Sequence, residues 1–556
     1  MKQFLFVLAT LLFFYSCKES KENQPVTDGE TNPESIQSPT DKNAVTAKDY
    51  TEFKVLDSKY INVEELWVPF NQDLEGFTEE QYNSLKPLII EQNIPTLQKE
   101  INQGQLSYEN LVKFYLYRIR KFDRKNDLSL NSVIALNPKV ISEAKQKDIE
   151  LKNRMLKPPL FGMPILLKDN IGAKGMPTTA GAVALQNNNT DDAFIVKQLK
   201  DKGVIILGKT NLSEWANYFS GDSPNGYSAI GGQTLNPYGR RTLDTGGSSS
   251  GSGVAVATNF CVAAVGSETD GSILSPSSRN SVVGLKPTIG LLSRSGIVPI
   301  SSTLDTPGPM TKNVVDNALM LDAMFGEDKS DSKSIYTLWE SGFYSKDLKT
   351  DSLKGKRFGV FKGFLKDTLF SDAIAVLKQR GAEIIELEEE NNLSDEDEMR
   401  LLNLDMKKDL PAYLSTWAGS SVEIKSVQDV VEFNKKDSLN RMPYGQRIFE
   451  GIVADSASNE EFEAIKTSFE TDGKQYLDSI MDTNNLDGIL SINSRHSSYA
   501  AAAEYPAITV PMGYDAKGAP EGLTFIGKRL QEKLLLQWAY AYEQASKMRK
   551  PPKNYN

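Results

Sequence analysis

The 556-residue sequence predicts an α/β fold in which helices cover a largely buried sheet. Three observations carry this. Short apolar runs of strand length alternate with amphipathic stretches of helical period. Hydrophobic content is 39%, charged content 24% and aromatic content 9%, as in a globular domain. The net charge of −10 (63 Lys+Arg against 73 Asp+Glu) offers no basic surface, so a nucleic-acid partner is not expected.

Thr78-Glu-Glu-Gln81 has capping-box spacing and opens a helical region. Tyr108 to Phe122 places Leu111, Phe114, Tyr115 and Ile119 on one face. There follow a strand at Ser132–Asn137, a helix from Ser142, and the apolar run MPILL that ends in Lys168. A helix from Asp191 to Lys202 leads into the strand VIILG. Later come a Gly/Ser loop (GGSSSGSG), a small-residue apolar run Val254–Thr258, the strand CVAAVG, and a second small-residue loop Ser267–Ser272. Gly326 to Leu348 is polar and reads as an excursion between two halves of one domain.

The amino end reads as an export signal. Lys2 precedes the apolar run Phe4–Tyr15, which is too short to span a bilayer comfortably, and Ser16-Cys17-Lys18 follows. This resembles a bacterial lipoprotein signal over residues 1–16, with cleavage before Cys17 and acylation of its thiol; a plain secretory signal is the alternative. Residues 17–47 are polar and rich in Pro, Gly and Ser, the composition of a disordered tether. The expected localisation is a bacterial envelope membrane, reached through lipidated Cys17. Cys261 lies in an apolar run and is expected to be a small buried hydrophobe.

The chain holds one histidine and two cysteines. One imidazole cannot form a multi-histidine metal site, and two thiols cannot form a zinc ribbon or a disulfide scaffold, so no metal is expected. A general base other than imidazole is the expectation for any enzymatic reading.

Two motif matches fail on context. Gly203-Val-Ile-Ile-Leu-Gly208-Lys209-Thr210 fits the phosphate-loop pattern, but its middle residues read as a strand rather than a flexible loop, and Gly203 reads as a helix C-cap. Lys209 is then an ordinary strand-end residue. Gly247-Ser248-Ser249-Ser250-Gly251 fits the nucleophile elbow, which would pair Ser249 with His496 in a Ser-His-Asp hydrolase. An elbow needs an apolar strand before it, and NPYGRRTLDTG is polar and turn-rich. His496 is therefore expected at the surface or as a supporting residue.

The segment GGSSSGSGVAVATNFCVAAVGSETDGSILSP resembles the signature of the amidase signature family. PLFGMPILLKDNIGAKGMPTTAGA, VIILGKTNLSEWANYFSG and VGLKPTIGLLSRSGIVPISSTLDTPGPM are similar to further family segments, and so is the C-terminal YPAITVPMGYDAKGAPEGLTFIGKRLQ. The resemblance covers about residues 105–550, nearest to bacterial peptide amidases. It implies a large mixed β-sheet core with helices on both faces, within a domain of residues 48–556 comprising a signature core (about 105–320) and a C-terminal half (about 350–550). It implies a cofactor-free serine amidase that hydrolyses a C–N bond. Lys168 matches the catalytic lysine, Ser248 the serine that follows a cis peptide bond, and Ser272 the nucleophile. Thr269, Asp270, Gly271 and Ser272 match the oxyanion hole, and Ser249 and Ser267 match supporting positions. A lysine that ends an apolar run would be buried and would lose its proton more easily than usual.

One departure stands out. Ser272-Ile273-Leu274-Ser275-Pro276 has Leu274 where the family's common pattern has arginine. Loss of that cation points to a neutral or apolar substrate, a peptide C-terminal amide first and a fatty-acid or aryl amide second. A surface-displayed binding protein that retains a decayed amidase fold is the non-enzymatic alternative. The segment from Trp339 to Asn440 is expected to shape the pocket.

Overall fold

The structure is a computed structural model that describes residues 51–556, apart from 125, 154–155, 338 and 389–392. The export signal, the tether and Cys17 lie outside the described residues.

Eleven strands form one sheet. In chain order they are β1 (Val133–Leu136), β2 (Pro164–Lys168), β3 (Ile205–Thr210), β4 (Ala263–Glu268), β5 (Val283–Lys286), β6 (Thr306–Thr311), β7 (Arg357–Phe361), β8 (Glu383–Leu387), β9 (Gly488–Ile492), β10 (Ala507–Tyr514) and β11 (Pro520–Ile526). Their spatial order is β1-β3-β2-β4-β6-β5-β10-β11-β9-β7-β8. The sheet is mixed. β3, β2 and β4 run parallel, β4 to β6 is antiparallel, and β9, β7 and β8 run parallel again. β5 pairs with β10, so strands from before residue 311 and after residue 357 share one continuous sheet. β2, β4 and β10 are almost entirely buried, which explains why they read as unbroken apolar runs rather than as alternation.

Local chemistry placed most elements as expected. Thr78 and Gln81 form the reciprocal capping box, and Ser107 caps the helix Tyr108–Phe122. Gly203 follows the helix Phe194–Asp201, and Ile205–Thr210 is a strand, so the phosphate-loop pattern is absent in three dimensions. Cys261 is fully buried, and burial pushes its thiol up to about 12.

The Gly/Ser segment departs from expectation. It is not a loop throughout: a helix begins at Ser250 and runs to Ala257. Small residues are required there because the helix lies against backbone. A Cβ on Gly251 would sit 2.5 Å from the carbonyl oxygens of Asn211 and Ser132. Packing against the sheet and the helix Leu274–Arg279 decides for helix over the intrinsic preference of Gly and Ser for loops.

Candidate active site

Three segments converge at the carboxyl ends of β2 and β4. β2 ends at Lys168, β4 ends at Glu268 and continues into the loop Thr269–Ser272, and the Gly246–Ser249 turn precedes the Ser250–Ala257 helix. The Gly247–Ser248 peptide bond is cis.

Lys168 is fully buried. Its Nζ donates to Ser248 Oγ at 2.7 Å and to the carbonyl and hydroxyl oxygens of Ser267, each at 2.9 Å. No carboxylate among the described residues pairs with it directly. Burial pulls its pKa down to about 7, against a partial upward pull from the more distant Asp305 and Glu268. Three oxygen acceptors and no counter-charge make this ammonium easy to deprotonate.

The serine loops are tied to one another. The Ser249 N–H donates to the Ser272 carbonyl at 3.1 Å, and the Ser249 hydroxyl donates to the Ser267 carbonyl at 3.1 Å. The Ser267 N–H donates back to Ser249 Oγ at 3.2 Å. Ser213 N–H holds the Ser248 carbonyl. Ser272 is 7% exposed, and its hydroxyl has no hydrogen-bond partner among the described residues.

The loop Thr269–Ser272 is folded by the carboxylate that precedes it. Glu268 Oε2 accepts from Ile273 N–H (2.6 Å) and Leu274 N–H (2.9 Å), drawing the chain back over itself. Gly271 adopts φ +70°, a conformation that disfavours any side chain. The N–H groups of Asp270, Gly271 and Ser272 have no hydrogen-bond partner among the described residues, so they remain available to an anionic oxygen. Thr269 is anchored through its hydroxyl to Asp305.

Some supporting residues were not singled out from sequence. Asn170 Nδ2 donates to Ser267 Oγ at 2.9 Å, and Asp305 takes the Thr269 hydroxyl together with the N–H groups of Ile300 and Ser301. Asn170 stands two residues beyond Lys168 and could have been suspected on proximity. Asp305 comes from a loop more than thirty positions away from the serines, and no local pattern marks it.

Two expectations need correction. Lys209 is not an ordinary strand-end residue: it is fully buried, pairs with Asp169 at 3.0 Å, and donates to Thr178 Oγ1 at 3.1 Å. A charge that cannot reach water at the end of a parallel strand requires such a partner. His496 is not at the surface: it is 3% exposed, stacks on Phe361 with ring centroids 4.6 Å apart, and bonds Ser491 through Nδ1 at 2.8 Å. Burial, with the nearby Arg495 charge, pushes its pKa down to about 4. The ring and the Ser249 hydroxyl are committed to different partners, so the elbow pairing is not assembled.

A cavity of about 300 Å³ adjoins the site, lined by Ser267 and Thr269 on one side and by Asp409, Tyr413 and Trp417 on the other. The segment expected to shape the pocket thus supplies one wall. Leu274, at the position of the missing arginine, is buried.

Residues 110–491 match the Amidase family model. This chain belongs to the amidase family. It is an amide-hydrolysing enzyme, and its relatives agree. A probable amidase of Arabidopsis thaliana is 38% identical over 484 residues, covering 84% of this chain and 92% of its own length. An amidase family protein from Bacillus anthracis superposes with a TM-score of 0.85 at 38% identity, covering 89% of this amidase and 99% of that chain. The peptide amidase from Stenotrophomonas maltophilia superposes with a TM-score of 0.79 at 38% identity, covering 83% and 98%. All three stand at the same 38% identity to this amidase.

Proposed function

We propose that this amidase hydrolyses the C-terminal amide of peptides through an acyl-enzyme on Ser272. Neutral Lys168 takes the proton of Ser248 as Ser248 takes that of Ser272, and the serine oxygen attacks the amide carbonyl. The N–H groups of the Thr269–Ser272 loop receive the developing oxyanion. The proton returns along the same relay to the departing nitrogen, and ammonia leaves. Water, deprotonated by the same lysine, then cleaves the ester and restores Ser272.

The observation that carries this reading is a fully buried lysine, hydrogen-bonded to Ser248 and with no paired carboxylate among the described residues. The peptide-amide preference rests on Leu274 in place of a cation and on similarity to a peptide amidase. A hydrolysis screen over peptide amides, fatty amides and aryl amides tests it. Peptide amides should show the highest kcat/KM, and a clear lead for either other class would replace the substrate assignment. Mass spectrometry of quenched enzyme should find the acyl group on the peptide containing Ser272, and its absence there would discard the relay.

We further propose that the enzyme is an exported lipoprotein held in the bacterial envelope through Cys17. Cys17→Ala should move it from the membrane fraction to the soluble fraction; retention in the membrane would sink the anchor. Among the described residues no helix is long and apolar enough to cross a membrane.

A further inference from the structure

The helix Asp395–Thr416 turns carboxylates inward. Glu398, Asp405 and Asp409 are spaced seven and four residues apart, which puts them on one face. Asp405 is buried there, and Glu398 and Asp409 are half-buried. Glu398 lies beside Asp270, Asp405 accepts from the Ser301 hydroxyl, and Asp409 Oδ2 accepts from Ser302 N–H at 2.5 Å. Asp409 and Tyr413, at the far end of that face, line the cavity beside Ser267 and Thr269.

The charge count of that cavity is negative. Arg294 is neutralised by Asp331, which takes its Nε at 2.9 Å and its backbone N–H at 2.8 Å. Among the described residues neither Asp305 nor Asp409 forms an ion pair, and Arg294 attracts both only at longer range. The oxygens of Asp305 are filled by donors from three residues, whereas Asp409 is bonded by Ser302 alone among the described residues.

Asn170 also borders the cavity: its Nδ2 donates to Ser267 Oγ at 2.9 Å, and its Oδ1 is enclosed, with no hydrogen-bond partner among the described residues.

We infer that the cavity takes a positively charged part of the substrate, a protonated amine or a guanidinium, with Asp409 as the specificity-determining carboxylate. This rests on the amide-hydrolase reading above and narrows its substrate class to cationic amides.

The test compares isosteric pairs on the full enzyme: N-benzoyl-argininamide against N-benzoyl-citrullinamide, and 6-aminohexanamide against heptanamide. The cationic member of each pair should have a kcat/KM at least about tenfold higher. Asp409→Asn should bring that ratio close to one, with the variant's fold checked by thermal denaturation. Raising NaCl from about 20 mM to about 500 mM should lower the ratio in the unmodified enzyme, which gives a readout independent of any variant. A ratio near or below one in the unmodified enzyme, or one unmoved by both Asp409→Asn and salt, overturns the inference. Turnover confined to the alkyl pair, with the charge preference intact, would discard the peptide-amide assignment and leave the cationic subsite standing.

Discussion

Lys168 and Lys209 end adjacent parallel strands one residue out of register, and they differ in the partners that each side chain meets. β2 and β3 pair Leu167 with Lys209 and Lys168 with Thr210, and both lysine side chains are fully buried. Burial lowers the pKa of each. Lys209 has Asp169 at 3.0 Å, which favours its charged form and opposes that fall. Lys168 has only hydroxyl and carbonyl oxygens, and its pKa falls to about 7. Equal burial of the same residue type therefore gives an ion pair at one position and an easily deprotonated amine at the other. The partner set decides the role.

The largest effect expected from breaking this contrast is on turnover. Lys168→Ala should lower kcat/KM by at least about 10³-fold, as should Ser272→Ala, while both proteins stay folded. Steady-state kinetics with a denaturation control checks this, and substantial residual activity in Lys168→Ala would return the base to an unassigned group. At the neighbouring position the effect should fall on stability instead. Asp169→Ala leaves Lys209 as an uncompensated buried charge and should cost about 3–5 kcal/mol, read from denaturant or thermal unfolding. Replacing both partners by apolar residues should recover much of that loss.

The pH dependence sharpens the comparison. If catalysis needs neutral Lys168, kcat/KM should rise with pH through about 7, and an acid optimum would count against the relay. Stability carries the same sign. The folded pKa of Lys168 lies below its unfolded value of 10.5, so between the two the unfolded chain binds more protons and stability grows as pH rises. Lys168→Met removes this penalty. It should raise Tm relative to the unmodified enzyme most below pH 7, and the gain should shrink toward pH 10.5. A gain that did not change with pH would mean the lysine is not the group responsible.

The smallest effect concerns the single histidine. His496→Ala should change kcat by less than about tenfold, because the ring is committed to Ser491 and Phe361. It should lower Tm, because it empties a packed site. Abolished turnover in a folded His496→Ala protein would revive imidazole as the base.

Much of the fold was legible because the relevant physics is local. The capping box at Thr78 and Gln81, the apolar face of Tyr108–Phe122 and the buried run Pro164–Lys168 each declare themselves within one element. The Gly/Ser helix was not legible, because Gly251 is chosen by the carbonyls of Asn211 and Ser132 across the packing interface. The strand order was equally out of reach, since β5 joins β10 across more than two hundred residues. For the site, the positions of Lys168, Ser248 and Ser272 were read from motifs. Burial alone could not have singled out the lysine, because Lys168, Lys209 and Lys286 are all fully buried.

The sequence by itself determined the element types, the scarcity of imidazole and the residue types assembled around Lys168. Only the tertiary structure decided which lysine kept a carboxylate and which did not. It also decided that His496 is packed against aromatic rings, and that an acidic helix face turns toward the cavity. Each of these is set by what stands opposite a side chain in space, and electrostatics and desolvation act through that distance rather than through separation along the chain.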